Sequence, residues 1–380
     1  MTSMARAPSG DVRLAAADVA IAAQLACLIE ASAPKPGNVS PGRHFSDARY
    51  EDFLASAAAI GEPMAGAGTR PVGVTVRLAV EATARWTRSN INLGIILLLA
   101  PLARAALALN SPWRKSGVAP RRARRPDGKT RRPKIPEVFE RGATQLAGMH
   151  RPSNAARVSP RAVKGVGSLF RDGHGKKAPD PLIRDALRHV LETTTVEDAR
   201  DVYAAIRLAA PGGLGRVEAQ DVAGEPTMTL VDVMRLAADR DLIAREYTTA
   251  FDMTFLAGVP ALERARGEAL SWDDAVVETF LSLLAAAPDT HIARRSGTAM
   301  AVEVSRQARA ALAAGGVRSA AGRRAIDDMD RGLRDARHTA NPGTAADLTA
   351  AAIFVALLGG GWPDSRDARA TGGGRDAATR

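Results

Sequence analysis

Almost every apolar stretch of the chain repeats at helical spacing, and this constrains the fold more than any other feature. Ile21, Leu25 and Leu28 share one helical face, with Leu14 two turns earlier, and Val276, Val277, Phe280, Leu281 and Leu284 form a second stripe. Two helix starts carry capping pairs, Thr195 with Asp198 and Ser271 with Asp274. In such a pair the hydroxyl accepts from the backbone three residues on and the carboxylate reaches back. No run alternates apolar and polar residues over a strand's length, and no βαβ rhythm is present. Aromatic residues are only 4% of the chain, against the aromatic and β-branched content that strands favour. The pattern predicts helices over 11–31, 46–60, 74–88, 92–109, 181–192, 196–209, 229–256, 272–286, 298–314, 319–335 and 345–359. The expected fold is all-α, a multi-helix, single-core, bundle-like domain.

The segment 113–179 breaks the pattern. It holds the pairs Arg121-Arg122, Arg124-Arg125 and Arg131-Arg132, scattered Pro and Gly, and no useful helical stripe. Its excess of basic residues is larger than the whole chain's net charge of +11, which leaves the rest of the chain mildly acidic and argues against a nucleic-acid-binding core. Three readings of it stand: a solvated, disordered insertion, an arm for nucleic acid or an acidic partner, and a stretch of altered reading frame in GC-rich DNA. The aromatic residues that stack on bases are sparse there, Trp113, Phe139 and Phe170. The organisation expected is thus 1–112 and 180–362 as two parts of one helical catalytic domain, 113–179 as insertion, and 363–380 as a disordered tail.

No membrane or targeting segment is expected. Asp11, Arg13 and Asp18 interrupt the Ala- and Leu-rich N-terminus. The most apolar run, Ile91 to Ala103, is 13 residues and ends at Arg104, too short to span a bilayer, so a buried core helix is expected. Cys27 is the single cysteine, which excludes a disulfide framework and Cys-cluster metal sites and fits a cytoplasmic setting.

Four loops could carry chemistry. The first, Pro34–Asp47, offers donors suited to phosphate in Lys35, Asn38, Arg43 and His44, with Gly37 allowing a sharp turn. Equally, it is an ordinary interhelical loop with Ser46 capping the next helix. Asn90 or Asn92 caps the apolar helix, and Gly94 in its first turn leaves room for an anion at the exposed amides. Pro288–Arg295 sets Asp289 beside Arg294 and Arg295, either a surface ion pair or a carboxylate for Mg²⁺ with guanidinium groups for phosphate. His338–Asp347 holds Asn341 and a Thr344/Asp347 capping pair. The glycines of Gly212-Gly213-Leu214-Gly215 follow no strand, so a dinucleotide fingerprint is excluded. Asp239, Asp241 and Glu246 are placed inside a long helix as solvated residues.

Taken in order, these stretches resemble the triphosphoribosyl-dephospho-CoA synthase family. The resemblance rests on Lys35-Pro36-Gly37-Asn38-Val39 with Phe45 and Asp47, Asn90-Ile91-Asn92-Leu93-Gly94, and Gly212-Gly213-Leu214-Gly215. It continues in Asp289-Thr290 with Arg294, and in Asn341-Pro342-Gly343 with Ala346-Asp347-Leu348. It covers roughly 12–109 and 181–360. The family typically has a His-Lys pair where this chain has Asn92-Leu93, and its first-motif His and Asp lie two apart rather than three, as His44 and Asp47 do. The chain looks like a divergent branch.

The resemblance implies a cytoplasmic all-α enzyme that moves the triphosphoribosyl group of ATP to the ribose 2′-hydroxyl of 3′-dephospho-CoA and releases adenine. That chemistry needs a carboxylate for the oxocarbenium-like state or the attacking hydroxyl, and Mg²⁺ with basic residues for the triphosphate. The expected assignments are Asp47 and Asp289 as catalytic carboxylates and Asp289 and Asp347 as Mg²⁺ ligands. Lys35, Gly37, Asn38, Asn90, Asn92, Gly94, Arg294, Arg295 and Asn341 are expected to hold substrate. Loss of Asp289 is expected to abolish transfer with little effect on folding. Two other functions stay open: a related transferase or hydrolase acting on another phosphoribosyl or pterin-type precursor, and a non-enzymatic nucleotide- or nucleic-acid-binding protein. Homo-oligomerisation is also left open.

Overall fold

The computed structural model describes residues 14–87, 91–109, 181–335 and 337–360. The expectations for 113–179, for the tail 363–380 and for Asn90 lie outside the described residues. Among the described residues the regular structure is helical throughout, and no helix is long and apolar enough to cross a membrane.

Helices α1 (Ala16–Ser32), α2 (Tyr50–Ala59), α3 (Gly61–Ala65), α4 (Val72–Ala84) and α5 (Leu93–Ala108) form the first part. The second part runs through α6 (Pro181–Glu192), α7 (Val196–Ala209), α8 (Leu230–Ala237), α9 (Leu242–Thr249), α10 (Val259–Gly267) and α11 (Trp272–Ala286). It ends with α12 (Thr290–Ser296), α13 (Thr298–Ala313), α14 (Ala320–Leu333) and α15 (Gly343–Leu358). The two most apolar helices, α5 and α15, pack together at the centre against α1 and α11, as helices apolar on all sides must. Residues from both parts build the main apolar cluster, while a smaller one fills the space between α11, α12, α13 and α14.

Local chemistry explains several boundaries. The Thr195 pair forms in full, with Asp198 N–H donating to Thr195 Oγ1 at 3.2 Å while Asp198 Oδ2 accepts from Thr195 N. At Ser271 only half forms: Asp274 N–H donates to Ser271 Oγ at 3.1 Å, but the Asp274 carboxylate accepts from Arg323 instead of reaching back. Pro101 sits inside α5 and has no N–H for the carbonyl of Leu97. The hydroxyl of Tyr247, itself 2% exposed, donates to that carbonyl at 2.6 Å instead. At Gly73, a Cβ would lie 2.4 Å from the backbone oxygen of Asp198, so glycine permits the close crossing of α4 and α7.

The helix expected over 229–256 is in fact two. Asp241 caps α9 by accepting from Ala244 N at 3.0 Å, and α9 ends where Ala250 and Phe251 take positive φ. Glu246 is not solvated. It is fully buried and accepts from Met253 N (2.9 Å), Thr254 N (2.9 Å) and Thr254 Oγ1 (2.6 Å), which joins α9 to the wide turn Thr254–Gly258. Helices α3, α10 and α12 were not anticipated, the last lying in what reads as a polar loop.

Candidate active site

A cleft of ≈ 1260 Å³ opens among α1, α5, α7, α8, α9, α12 and α15. Its inner wall includes Glu30 of α1, the first turn of α5 from Leu93 to Ile95, and Asp347 of α15. Gly94 lets these meet, since a Cβ there would fall 2.0 Å from Asp347 Oδ2. Burial, then the neighbouring charges of Glu30 and Asp289, hold the Asp347 carboxyl well above the usual carboxylate range.

The first loop is held to α14 by Asp330, which accepts from Gly37 N at 2.8 Å and Arg43 Nη1 at 3.0 Å and pairs with Arg334. Arg334 also donates to the carbonyl of Asn38 at 2.8 Å. Gly37 has φ +75°, and a Cβ would strike Leu333 and Pro342, so its role is in the backbone turn rather than on a ligand. Asn38 faces the cleft, as do Phe45 and His338, whose rings stack with centroids 4.0 Å apart. Asp47 lies exposed at the cleft's edge.

Lys35 does not reach the cleft. It is 1% exposed and salt-bridged to Glu30 at 2.9 Å, and it donates to the carbonyls of Glu30 and Ala33. Its three donors are spent, so the expected phosphate contact gives way to neutralising Glu30. Asn92 is also buried, with Nδ2 donating to Thr83 Oγ1 at 3.4 Å.

Asp289 departs furthest from expectation. It is 1% exposed and caps α12, with Oδ1 accepting from His291 N (2.8 Å) and Ile292 N (3.1 Å). Its Oδ2 accepts from Ala345 N at 2.8 Å, in the first turn of α15. Burial raises its carboxyl to about 6. It ties two helix starts together rather than facing substrate or metal. Thr344 does not cap through Asp347 either: its Oγ1 accepts from His291 N at 3.1 Å, and Asp347 faces the cleft.

Cationic groups line the outer part. Arg294 pairs with Asp241, its Nε buried without a partner, and Arg295 Nη2 donates to the carbonyl of Arg337 at 3.1 Å. Arg207 and Arg240 line the same space. His291 is held neutral, its ring lowered to about 4 by burial and then by Arg294 and Arg295. Asn341 lines the cleft with Oδ1 buried and unpartnered.

The structure therefore brings together Asn38, Asp47, Gly94, Arg294, Arg295, Asn341 and Asp347, and sets Lys35, Gly37, Asn92 and Asp289 behind them. Reasoning from sequence missed Glu30, Arg207, Arg240, Asp241 and His338. Glu30 had a signal, an acid in the apolar stretch Gln24–Ala31; Arg240 and Asp241 were hidden by the apparent long helix.

The model of the ATP:dephospho-CoA triphosphoribosyl transferase family matches residues 16–146 and 164–366. The match takes in part of 113–179 and leaves 147–163 unmatched. The probable 2-(5''-triphosphoribosyl)-3'-dephosphocoenzyme-A synthase of Pseudomonas paraeruginosa is 38% identical over 111 residues, 28% of this chain and 37% of the relative. That of Pseudomonas syringae pv. syringae is 29% identical over 167 residues, 44% of this chain and 56% of the relative. The chain thus covers less than two thirds of the length of these relatives. A crystal structure described as a triphosphoribosyl-dephospho-CoA synthase from Archaeoglobus fulgidus superposes with a TM-score of 0.48 and 23% identity, covering 81% of this chain and 99% of that one. With the family model matched on both sides of the central gap, the chain belongs to the ATP:dephospho-CoA triphosphoribosyl transferase family.

Proposed function

We propose that the chain transfers the triphosphoribosyl group of ATP to the ribose 2′-hydroxyl of 3′-dephospho-CoA, with release of adenine. The observation that carries this reading is a single cleft in which Arg207, Arg240, Arg294 and Arg295 face the same space as Asp347 and Asp47. Guanidinium groups suit a triphosphate because they offer paired donors at fixed geometry. The Arg cluster takes over the role of the cationic pair missing at Asn92-Leu93. Carboxylates suit the other end of the reaction, where the bond from C1 to adenine breaks with its electron pair leaving on the base.

Among the described residues no three metal-ligating side chains gather into a site. Mg²⁺ would therefore enter with ATP, whose phosphates supply most of its ligands. Asp347 fits it, because it faces the cleft while Glu30 is engaged by Lys35, Asp241 by Arg294, and Asp289 by two helix starts. Bound there, the ion would neutralise charge on the triphosphate. Asp47 takes the proton of the attacking 2′-hydroxyl as the new C1–O bond forms. Asn38 and Asn341 orient the ribose through side-chain donors and acceptors.

Adenine release from ATP and Mg²⁺, with and without 3′-dephospho-CoA, tests the reading on the full chain. Release is expected only when both substrates are present, and Asp347→Asn and Asp47→Asn should each lower kcat about 100-fold or more. Release that ignores the acceptor would replace transfer by hydrolysis, and no release would overturn the reading.

A further inference from the structure

The cleft has an apolar end that a nucleotide does not explain. Leu208 and Leu236, near the C-termini of α7 and α8, are 51% and 46% exposed, and Leu214 and Val217 of the intervening loop are 45% and 37% exposed. All four line the cleft. Large apolar side chains gathered in one concave place, rather than scattered, mark a surface that is covered in use.

The loop that carries two of them is held in place. Tyr203 OH donates to the carbonyl of Gln220, and Arg207 Nη1 donates to that of Val222 at 2.8 Å. Asp221 accepts from Val217 N and Ala223 N, both at 2.8 Å. The display of Leu214 and Val217 is thus built rather than incidental. A Cβ at Gly212 or Gly215 would meet nothing within 4 Å, so the backbone beside them is open to a ligand. The cleft, at ≈ 1260 Å³, also exceeds the roughly 300–1,000 Å³ of a typical small-molecule pocket.

We propose that this end holds the pantetheine arm of the acceptor, and that Leu214, Val217 and Leu236 determine acceptor choice. This deepens the transfer reading above and rests on it. An arm of methyl groups and uncharged amides matches apolar side chains next to open glycine backbone. The loop between α7 and α8 thus separates acceptor from donor: ATP has nothing to place there.

Calorimetric titration of the full chain with 3′-dephospho-CoA and with ADP, its counterpart lacking the arm, tests this. The unaltered protein should bind 3′-dephospho-CoA at least tenfold more tightly than ADP. Leu214→Asp and Val217→Asp, on an exposed loop, should reduce that preference to under twofold with ADP affinity unchanged. Leu214→Ala should give an intermediate loss. No preference in the unaltered protein, equal weakening toward both ligands, or a variant that changes only the oligomeric state by gel filtration would overturn the proposal. Adenine release measured in parallel separates the two claims. A preference lost in the variants without any adenine release would sustain the arm site while removing the transferase reading.

Discussion

The Asp347 carboxylate occupies the space that a side chain at position 94 would need. A Cβ on Gly94 would lie 2.0 Å from Asp347 Oδ2 and 2.8 Å from Ile243 Cδ1. Alanine is the better helix former by about 1 kcal/mol, so Gly94→Ala would stabilise an isolated α5. In the folded chain the clash wins, because overpacking costs about 1–3 kcal/mol and relief requires Asp347 to turn away. Gly94→Ala is expected to lower adenine release at least tenfold and the unfolding midpoint by a few degrees. Unchanged turnover would show that Asp347 does not act from its place beside α5.

Removing Asp289 should damage folding before chemistry. Its carboxylate caps α12 and holds the first turn of α15 through Ala345 N. A lost cap costs about 1 kcal/mol, and a buried N–H left without an acceptor about 1–3 kcal/mol more. Asp289→Ala is therefore expected to lose about 2–4 kcal/mol in denaturant unfolding. Turnover per folded molecule should stay well above that of Asp347→Asn, the reverse of what sequence alone suggests.

Tyr247→Phe tests how α5 tolerates Pro101. The Tyr247 hydroxyl is the donor that the Leu97 carbonyl receives in place of the missing N–H. The ring would still fill its site, so the change isolates one hydrogen bond. Leaving the carbonyl unpaired in the core should cost about 1–3 kcal/mol, read by chemical denaturation. A variant as stable as the parent would mean that the helix accommodates Pro101 by other means.

How legible these features are in the sequence follows from their physics. Helices with a clear stripe or a Ser/Thr cap, such as α7 and α11, announce themselves because period and capping are local properties. The helix end at Ala250 and Phe251 does not, because apolar spacing continues through it and the contacts made there, Met253 and Thr254 on the buried Glu246 carboxylate, depend on tertiary packing. The same holds in the site. Asp289 and Lys35 read as ligands because their residue types suit phosphate and metal, yet both are spent inside the fold on a cap and an ion pair. Asp347 reads as half of a capping pair and faces the cleft instead.

Glu246 gives the protein a pH-dependent element of stability. Burial raises its carboxyl from 4.5 to about 7, against the lowering effect of Thr254 and of the backbone N–H groups of Thr254 and Met253. Because the folded value is the higher one, the folded state binds the proton more tightly than the unfolded chain between pH 4.5 and 7. The contribution is complete below pH 4.5 and is lost as pH rises through 7, a change of about 3 kcal/mol at most. Glu246→Gln carries no titratable proton, so it should be less stable than the parent at pH 5, where its amide N–H₂ faces donors. Its stability should fall less between pH 5 and 7.5. Comparing parent and variant cancels opposing contributions in this range, such as His291, whose lowered value makes stability fall with acid. Denaturant midpoints at half-unit intervals measure the difference, and parallel curves for the two proteins would show that Glu246 stays ionised throughout.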